Sequence, residues 1–227
     1  MKKNLLITGA VLCGACLSLL NPTGAVVSAA EASSATSEAS ITLSGGSTTP
    51  TPIDSGETIN SEDGEVTGNS GPLSIDYVPN FIFGDVSIGG STTKVIDQNS
   101  NPFVQVSDHR GTGAGWSLKL AATPFINNDV EGEELLGTEL TLKNMIPEAV
   151  DANNVSGAPT TNEQTFGTSD MSSKVIMNAK GSDGMGSWKG KFQTLGGENS
   201  VELSIPTGNK MGSYTSTLTW SLSDAPE

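Results

Sequence analysis

Short runs of alternating apolar and polar residues fill the chain from about residue 72 onward, separated by Gly, Asn, Asp and Pro. These runs are rich in β-branched and aromatic residues, which suit the pleated, half-buried surface of a sheet. No run has the periodicity of a helix, although residues 129–136 could form a turn or two. We therefore predict an all-β fold, a β-sandwich or partly closed barrel built as a single domain. The predicted strands are 73–77, 81–83, 103–107, 116–121, 139–143, 174–178, 187–192, 200–205 and 214–222.

Two polar stretches, 127–138 and 147–173, interrupt this succession of strands. Loops of that length are usually either functional or mobile. The Asn, Thr, Ala and Gly content of residues 149–168 favours a mobile loop over a shaped site.

The N-terminal part of the chain has a different composition. Lys2 and Lys3 precede an apolar run, and small residues follow it up to Ala30, which predicts a secretory signal peptide over 1–30 and a secreted product. The apolar run is too short to remain as a membrane span in the mature form. Residues 31–68 are rich in Ser, Thr, Gly and Pro and predict a disordered spacer. The folded domain is then expected over 69–227.

Both cysteines, Cys13 and Cys16, fall inside the predicted signal peptide. The mature chain then has no thiol and no disulfide, so its core alone must hold the fold together. A second interpretation is that residues 12–16 imitate a lipoprotein cleavage box with Cys16 as the acylated residue. The signal peptide is favoured, because Cys13 stands where such a box normally has Leu and more apolar sequence follows Cys16.

The chain is acidic, with a formal net charge of −14. Removal of the signal peptide leaves 9 basic residues against 25 acidic ones, a net charge of −16. Such a surface repels nucleic acid and anionic lipid, so neither is expected as a partner. Attachment to an anionic cell wall would have to come from short-range contacts.

The tripeptide Trp-Ser-Leu occurs twice, at 116–118 and 220–222. Because side chains alternate along a strand, each copy places an indole and a leucine side by side on one face. Two interpretations stay open: Trp116, Leu118, Trp220 and Leu222 fill the core between two sheets, or they line a groove where a saccharide stacks on the rings. Trp188, flanked by glycines, is an equal candidate for such a groove.

Several further motifs accompany the two tripeptides in a fixed order: 78–80 with 83–84, 106–111 leading into 115–118, 201–206, 214–222 and 224–226. With them, the segment from about residue 73 to 226 resembles the WxL domain of Gram-positive surface proteins. The resemblance implies non-covalent binding to peptidoglycan at the cell surface, with both Trp-x-Leu motifs involved. It also implies protein partners, namely other WxL proteins and a membrane-anchored WxL-interacting protein.

The residues offer little for catalysis or for a cofactor. His109 is the chain's one histidine, no Gly-x-Ser-x-Gly motif is present, and no cysteine survives the predicted cleavage. One imidazole without a thiolate also does not supply the ligand set of a typical metal site. We predict instead that Asp108 and Arg110 pair with each other and that Gly111 turns the chain. The protein is expected to be no enzyme and to bind no cofactor.

The sequence thus predicts a non-catalytic protein attached non-covalently to peptidoglycan in the cell wall. The absence of an apolar, basic-ended tail after Trp220 is consistent with non-covalent retention. The alternative is a subunit of a cell-surface complex that docks the membrane-anchored WxL-interacting partner, with wall association only indirect.

Overall fold

A computed structural model describes residues 37–46, 62–143, 145–193, 196 and 199–227. Two units make up the chain, residues 1–42 and residues 43–227, and every described strand belongs to the second. The predicted signal peptide (1–30) and much of the predicted spacer (31–68) lie outside the described residues. Within the described residues the fold is all-β, without helices, as the sequence predicts.

The strands are short and are numbered here in chain order. They are β1 (Gly64–Val66), β2 (Leu73–Pro79), β3 (Thr93–Ile96), β4 (Phe103–Asp108), β5 (Trp116–Ala122), β6 (Ile126–Asn127), β7 (Glu139–Leu142), β8 (Ile146–Ala149), β9 (Thr160–Thr161), β10 (Gln164–Gly167), β11 (Lys174–Ala179), β12 (Gly186–Lys191), β13 (Val201–Ile205), β14 (Tyr214–Thr215) and β15 (Leu218–Ser223).

These strands form four antiparallel sheets, none of which closes into a barrel. Sheet A has the order β1-β2-β4-β12-β8, sheet B has β10-β7-β13-β3, and sheet C has β15-β5-β11-β9. The fourth sheet pairs β14 with β6. In consequence β3 is an edge strand of sheet B and β15 is an edge strand of sheet C.

All three larger sheets contribute side chains to one apolar core. Along β5, Trp116, Leu118 and Leu120 are fully buried on one face. On the opposite face Ser117 is buried as well and Lys119 is partly exposed. Burial of large apolar side chains is the main stabilising term in a domain that has no cysteine. Other members of the core are Val104, Val106, Leu140, Phe166, Ile176, Met177, Phe192 and Leu203.

The other face of β4 is buried as well, although two of its side chains, Gln105 and Ser107, are polar. Asp76 accepts hydrogen bonds from the Gln105 amide at 2.9 Å, the Ser107 hydroxyl at 2.6 Å and the Ser74 hydroxyl at 2.7 Å. These partners compensate the loss of hydration that burial imposes on the Asp76 carboxyl.

The first strand lies inside the segment that the sequence predicts to be spacer. Gly64 and Val66 of β1 pair with Pro79 and Tyr77 of β2. A Cβ atom on Gly64 would lie 2.2 Å from the Tyr77 hydroxyl oxygen, so glycine is required for this close approach. β1 is held by backbone pairing, and Gly64 has no side chain, so this segment shows no apolar alternation. The sequence therefore does not predict the strand.

Two other local predictions are wrong. The run 81–83 is irregular rather than a strand, because polar contacts from the end of β3 hold its backbone. The polar stretch 147–173, predicted to be a long loop that is mobile over 149–168, contains most of β8 and all of β9 and β10. There the Thr161 hydroxyl donates to the Met145 carbonyl at 2.9 Å, and the Gln164 amide donates to the Val175 carbonyl at 2.9 Å. Polar side chains therefore order these strands.

Candidate functional site

The two Trp-Ser-Leu tripeptides lie on neighbouring strands. β15 pairs antiparallel with β5, in a register that sets Leu222 opposite Leu118 and Trp220 opposite Leu120. Sheet pairing thus joins two motifs that are far apart in the sequence. Because the strands run in opposite directions, the two tryptophans lie on opposite sides of the leucine pair.

The first tryptophan belongs to the core. The side chain of Trp116 is 0% exposed, and its indole Nε1–H donates a hydrogen bond to the Gly184 carbonyl at 3.0 Å. Gly184 has a φ of +70°, and a Cβ there would lie 2.8 Å from the Trp116 Nε1 atom. Leu118 is equally buried. A ligand cannot reach either side chain in this structure, so the core interpretation applies to both.

Trp188 is also a core residue and not an equal candidate for the groove. Its side chain is 5% exposed, and its indole Nε1–H donates to the Met185 carbonyl at 3.0 Å. It lies on β12, which is paired on both sides by β4 and β8. The flanking glycines therefore mark close packing in the middle of sheet A and not an exposed strand end.

Trp220 differs from the other two because it is only half-buried. Its ring meets Phe192 edge-on, with the ring centroids 6.2 Å apart and an interplanar angle of 65°. Phe192 in turn meets Phe81 edge-on at 5.3 Å between centroids. The core thus supports the inner part of the Trp220 indole, and its outer part lines a groove.

This groove has a volume of about 1210 Å³. One wall is formed by the end of β2 and the irregular segment that follows it, residues 78–91, and the other is formed by residues 206–217. Apolar side chains of several strands and loops line the space between them. They are Phe81, Phe83, Phe125, Leu135, Leu140, Leu203, Ile205, Leu218 and Trp220.

The rim of the groove is hydroxylated and mildly acidic. Ser91, Thr93, Ser213 and Thr215 are among the residues that contribute hydroxyl groups. Its charged lining residues are Glu65, Asp85 and Lys210. The Lys210 amine is paired with Glu133 at 3.3 Å, whereas Glu65 and Asp85 have no ion pair within the described residues.

A buried carboxylate holds the first wall in place. Asp97 Oδ1 accepts hydrogen bonds from the backbone N–H of Ile82 at 2.6 Å and of Asn99 at 3.2 Å, and Asn99 Nδ2 donates to the Asn80 carbonyl at 2.8 Å. Asp97 Oδ2 is buried and has no hydrogen-bond partner within the described residues. Burial raises the pKa of Asp97 to about 6, the backbone hydrogen bonds oppose the rise, and the nearby Asp63 adds to it.

Leu222 lines a second, smaller cleft farther along β15, together with Leu73, Arg110 and Asp224. The predicted pairing of Arg110 with Asp108 is confirmed, since Nε and Nη2 of Arg110 donate to the two carboxylate oxygens of Asp108 at 2.9 and 2.8 Å. Arg110 also donates to the backbone carbonyls of Gly115 at 2.6 Å and Asp224 at 3.3 Å. The chain turns at Gly111, whose φ is +69°, as predicted.

The family follows from a comparison with protein-family models. The model of the WxL domain, described as surface cell wall-binding, matches residues 30–226. This chain belongs to the WxL family. No curated protein and no solved structure matches it.

Membership confirms the resemblance that the sequence motifs indicate. The WxL domain is a surface domain that binds the cell wall, so this chain is a cell-wall-associated surface protein. In the described ranges, no helix has the length and apolar character that crossing a membrane requires. No group of three or more metal-ligating side chains converges within those same ranges.

The Trp-x-Leu motif predicts a role for Trp220 and Leu222, but most of the other residues of the groove carry no such signal in the sequence. Phe81 and Phe83 are assigned to a strand, although they belong to an irregular wall. The loop 206–213 is not singled out at all. Its Pro, Gly and Asn content next to an apolar strand is the signal that could have pointed to a shaped loop.

Proposed function

We propose that this WxL domain binds peptidoglycan directly and without a covalent bond, in the groove lined by Trp220 and the cleft beside Leu222. One observation carries the proposal: Trp220 alone among the three tryptophans is not buried, and it lines a large groove. Trp116, Leu118 and Trp188 act indirectly, by building the sheets that position β15.

The chemistry of the groove supports a sugar-containing ligand. A pyranose ring presents a face of C–H groups to the face of an aromatic ring, and this contact does not depend on the charge of the protein. Hydroxyl groups on the rim can exchange hydrogen bonds with sugar hydroxyl and amide groups. Stacking of this kind would hold a chain of net charge −14 on an anionic wall.

We infer further that the domain binds without catalysing a reaction. The residues that line the groove include no histidine and no cysteine, and its two unpaired carboxylates, Glu65 and Asp85, belong to separate segments. His109 lies at the end of β4, beside Arg110 in the bend that leads to Gly111. His109 therefore lies in the loop that follows β4.

A protein partner is the second candidate, in line with the alternative of a cell-surface complex. Ile88 and Met211 line the groove and are 55% and 85% exposed. Exposed apolar side chains beside an aromatic groove are typical of protein interfaces as well. If the groove binds a protein, the expected partners are other WxL proteins and the membrane-anchored WxL-interacting protein.

The test is sedimentation of the purified protein with peptidoglycan sacculi from which all protein has been stripped. We expect the wild type to sediment, Trp220→Ala to stay in solution, and Thr219→Ala, which changes an exposed side chain on the opposite face, to sediment normally. Binding that appears only after other surface proteins are added would favour the second candidate. Release of soluble muropeptides would instead reveal a hydrolase.

A further inference from the structure

The outer edge of β15 has backbone groups without hydrogen-bond partners. Thr123 N–H donates to the Thr217 carbonyl at 3.0 Å, so this pair is a hydrogen-bonded pair in the ladder between β5 and β15. Such pairs alternate in an antiparallel ladder. The backbone groups of Leu218, Trp220 and Leu222 therefore point away from β5, to the open side of sheet C.

A second hydrogen bond supports this assignment. The backbone N–H of Ala122, the partner of Leu218, donates to the Met171 carbonyl at 3.2 Å, away from β15. Within the described residues, no hydrogen bond reaches the backbone N–H or C=O of Leu218, Trp220 or Leu222. On β15, the two defining residues of the motif, Trp220 and Leu222, thus have side chains that point inward and backbone groups that point to the open edge.

Open space meets this edge at two places. The groove reaches Leu218 and Trp220, and the second cleft continues at Leu222 and Ser223. Leu73, Ser74 and Ile75 of β2 also line the second cleft, so at Leu222 the open space lies between β15 and β2. The free edge from Leu218 to Leu222 extends over roughly 16 Å, given about 3.3 Å per residue in a strand.

We propose that this edge binds the peptide portion of peptidoglycan through backbone hydrogen bonds, while Trp220 contacts the neighbouring sugar. The proposal rests on the proposed function. Unpaired N–H and C=O groups at strand spacing are complementary to another peptide backbone, which glycan alone cannot provide.

Charge supports the same ligand. The free acidic groups of the groove, Glu65 and Asp85, are complementary to the amino groups that diamino acids carry in wall peptides. The basic side chains nearby are already paired: Lys210 with Glu133, and Arg110 with Asp108. An amine-bearing peptide therefore meets carboxylates without competing cations.

The experiment compares intact sacculi with sacculi treated with an amidase that removes the stem peptides and leaves the glycan strands. The full chain should bind the treated material at least tenfold more weakly.

Leu218→Pro removes one outward N–H, and proline is tolerated at the first residue of an edge strand. Leu218→Ala is the matched control, because it removes the same side chain and keeps the N–H. We expect Leu218→Pro to bind intact sacculi tenfold more weakly than Leu218→Ala.

A second measurement does not depend on the variant folding. The peptides released by the amidase should compete with intact sacculi for the wild-type protein. Equal binding to intact and peptide-free sacculi, or no competition by the released peptides, would overturn peptide binding at this edge and leave the proposed function standing. Failure to bind either material would overturn the proposed function itself.

Discussion

Leu118 and Leu222 lie directly opposite each other on the antiparallel strands β5 and β15. Around this pair the two identical tripeptides have different environments, because β5 is paired on both sides and β15 only on one. The indole of the inner strand is sealed in the core, and the indole of the edge strand lines the groove. One motif therefore serves stability and the other is available to a ligand.

The first prediction separates these two roles by replacing each tryptophan. Trp116→Ala should lower the free energy of unfolding by about 3–5 kcal/mol, the usual cost of emptying a large buried site. Trp220→Ala should cost clearly less, because its ring is only half-buried, and should instead abolish sedimentation with sacculi. Urea denaturation followed by far-UV circular dichroism measures the stabilities. Equal destabilisation by both variants would contradict the assignment.

The second prediction concerns the turn that supports Trp116. An added Cβ at Gly184 would lie 2.5 Å from the Ala179 Cβ, whereas Gly181, with a φ of +55°, has nothing within 4 Å of such an atom. Gly181→Ala should cost about 1 kcal/mol, from the left-handed backbone alone. Gly184→Ala adds the steric clash and should cost about 3 kcal/mol. Thermal denaturation of the two variants checks this, and similar melting temperatures would argue against the packing described.

The third prediction tests the Arg110–Asp108 pair. Hydrogen bonding to Asp108 raises the pKa of Arg110, and the Asp108 side chain is 1% exposed. Arg110→Met leaves this carboxylate buried without its partner and should destabilise the fold by about 3 kcal/mol. The double variant Asp108→Asn, Arg110→Met should regain part of that loss. A double variant no more stable than Arg110→Met would mean that packing of the Arg110 stem dominates.

The fourth prediction concerns pH. The folded state raises the pKa of Asp97 from 3.8 to about 6, so the folded chain binds the proton more tightly than the unfolded chain does. The stabilising contribution of Asp97 is therefore complete below about pH 4, falls as the pH rises toward 6, and is lost above it.

Asp97→Asn removes this titration and keeps an oxygen acceptor for the backbone N–H groups of Ile82 and Asn99. Between pH 4 and pH 7.5, the stability of the variant relative to wild type should rise by about 3 kcal/mol, at 1.36 kcal/mol per pKa unit. Asp85→Asn, on the exposed part of the same wall, is the control and should show no comparable change. A pH-independent difference for Asp97→Asn would contradict the prediction.

Alternation along the chain was sufficient to locate the longer strands, including β4, β5, β11 and β13, because each has a face on the core. It could not reveal β1 or β9, which are ordered by backbone pairing and polar side chains. It also could not distinguish Trp116 from Trp220, since the two tripeptides are identical. Their difference depends on which strand has two neighbours, and this follows from pairing between distant segments.

The pairing of β5 with β15 also has a consequence for how the protein is made. The strand that covers one side of β5 is the last of the described strands to be synthesised, so a nascent chain exposes that edge until nearly all of the domain has emerged. Non-local closure of this kind is slow and leaves intermediates prone to aggregation. We therefore expect productive folding to finish only after the final strand is available to pair with β5.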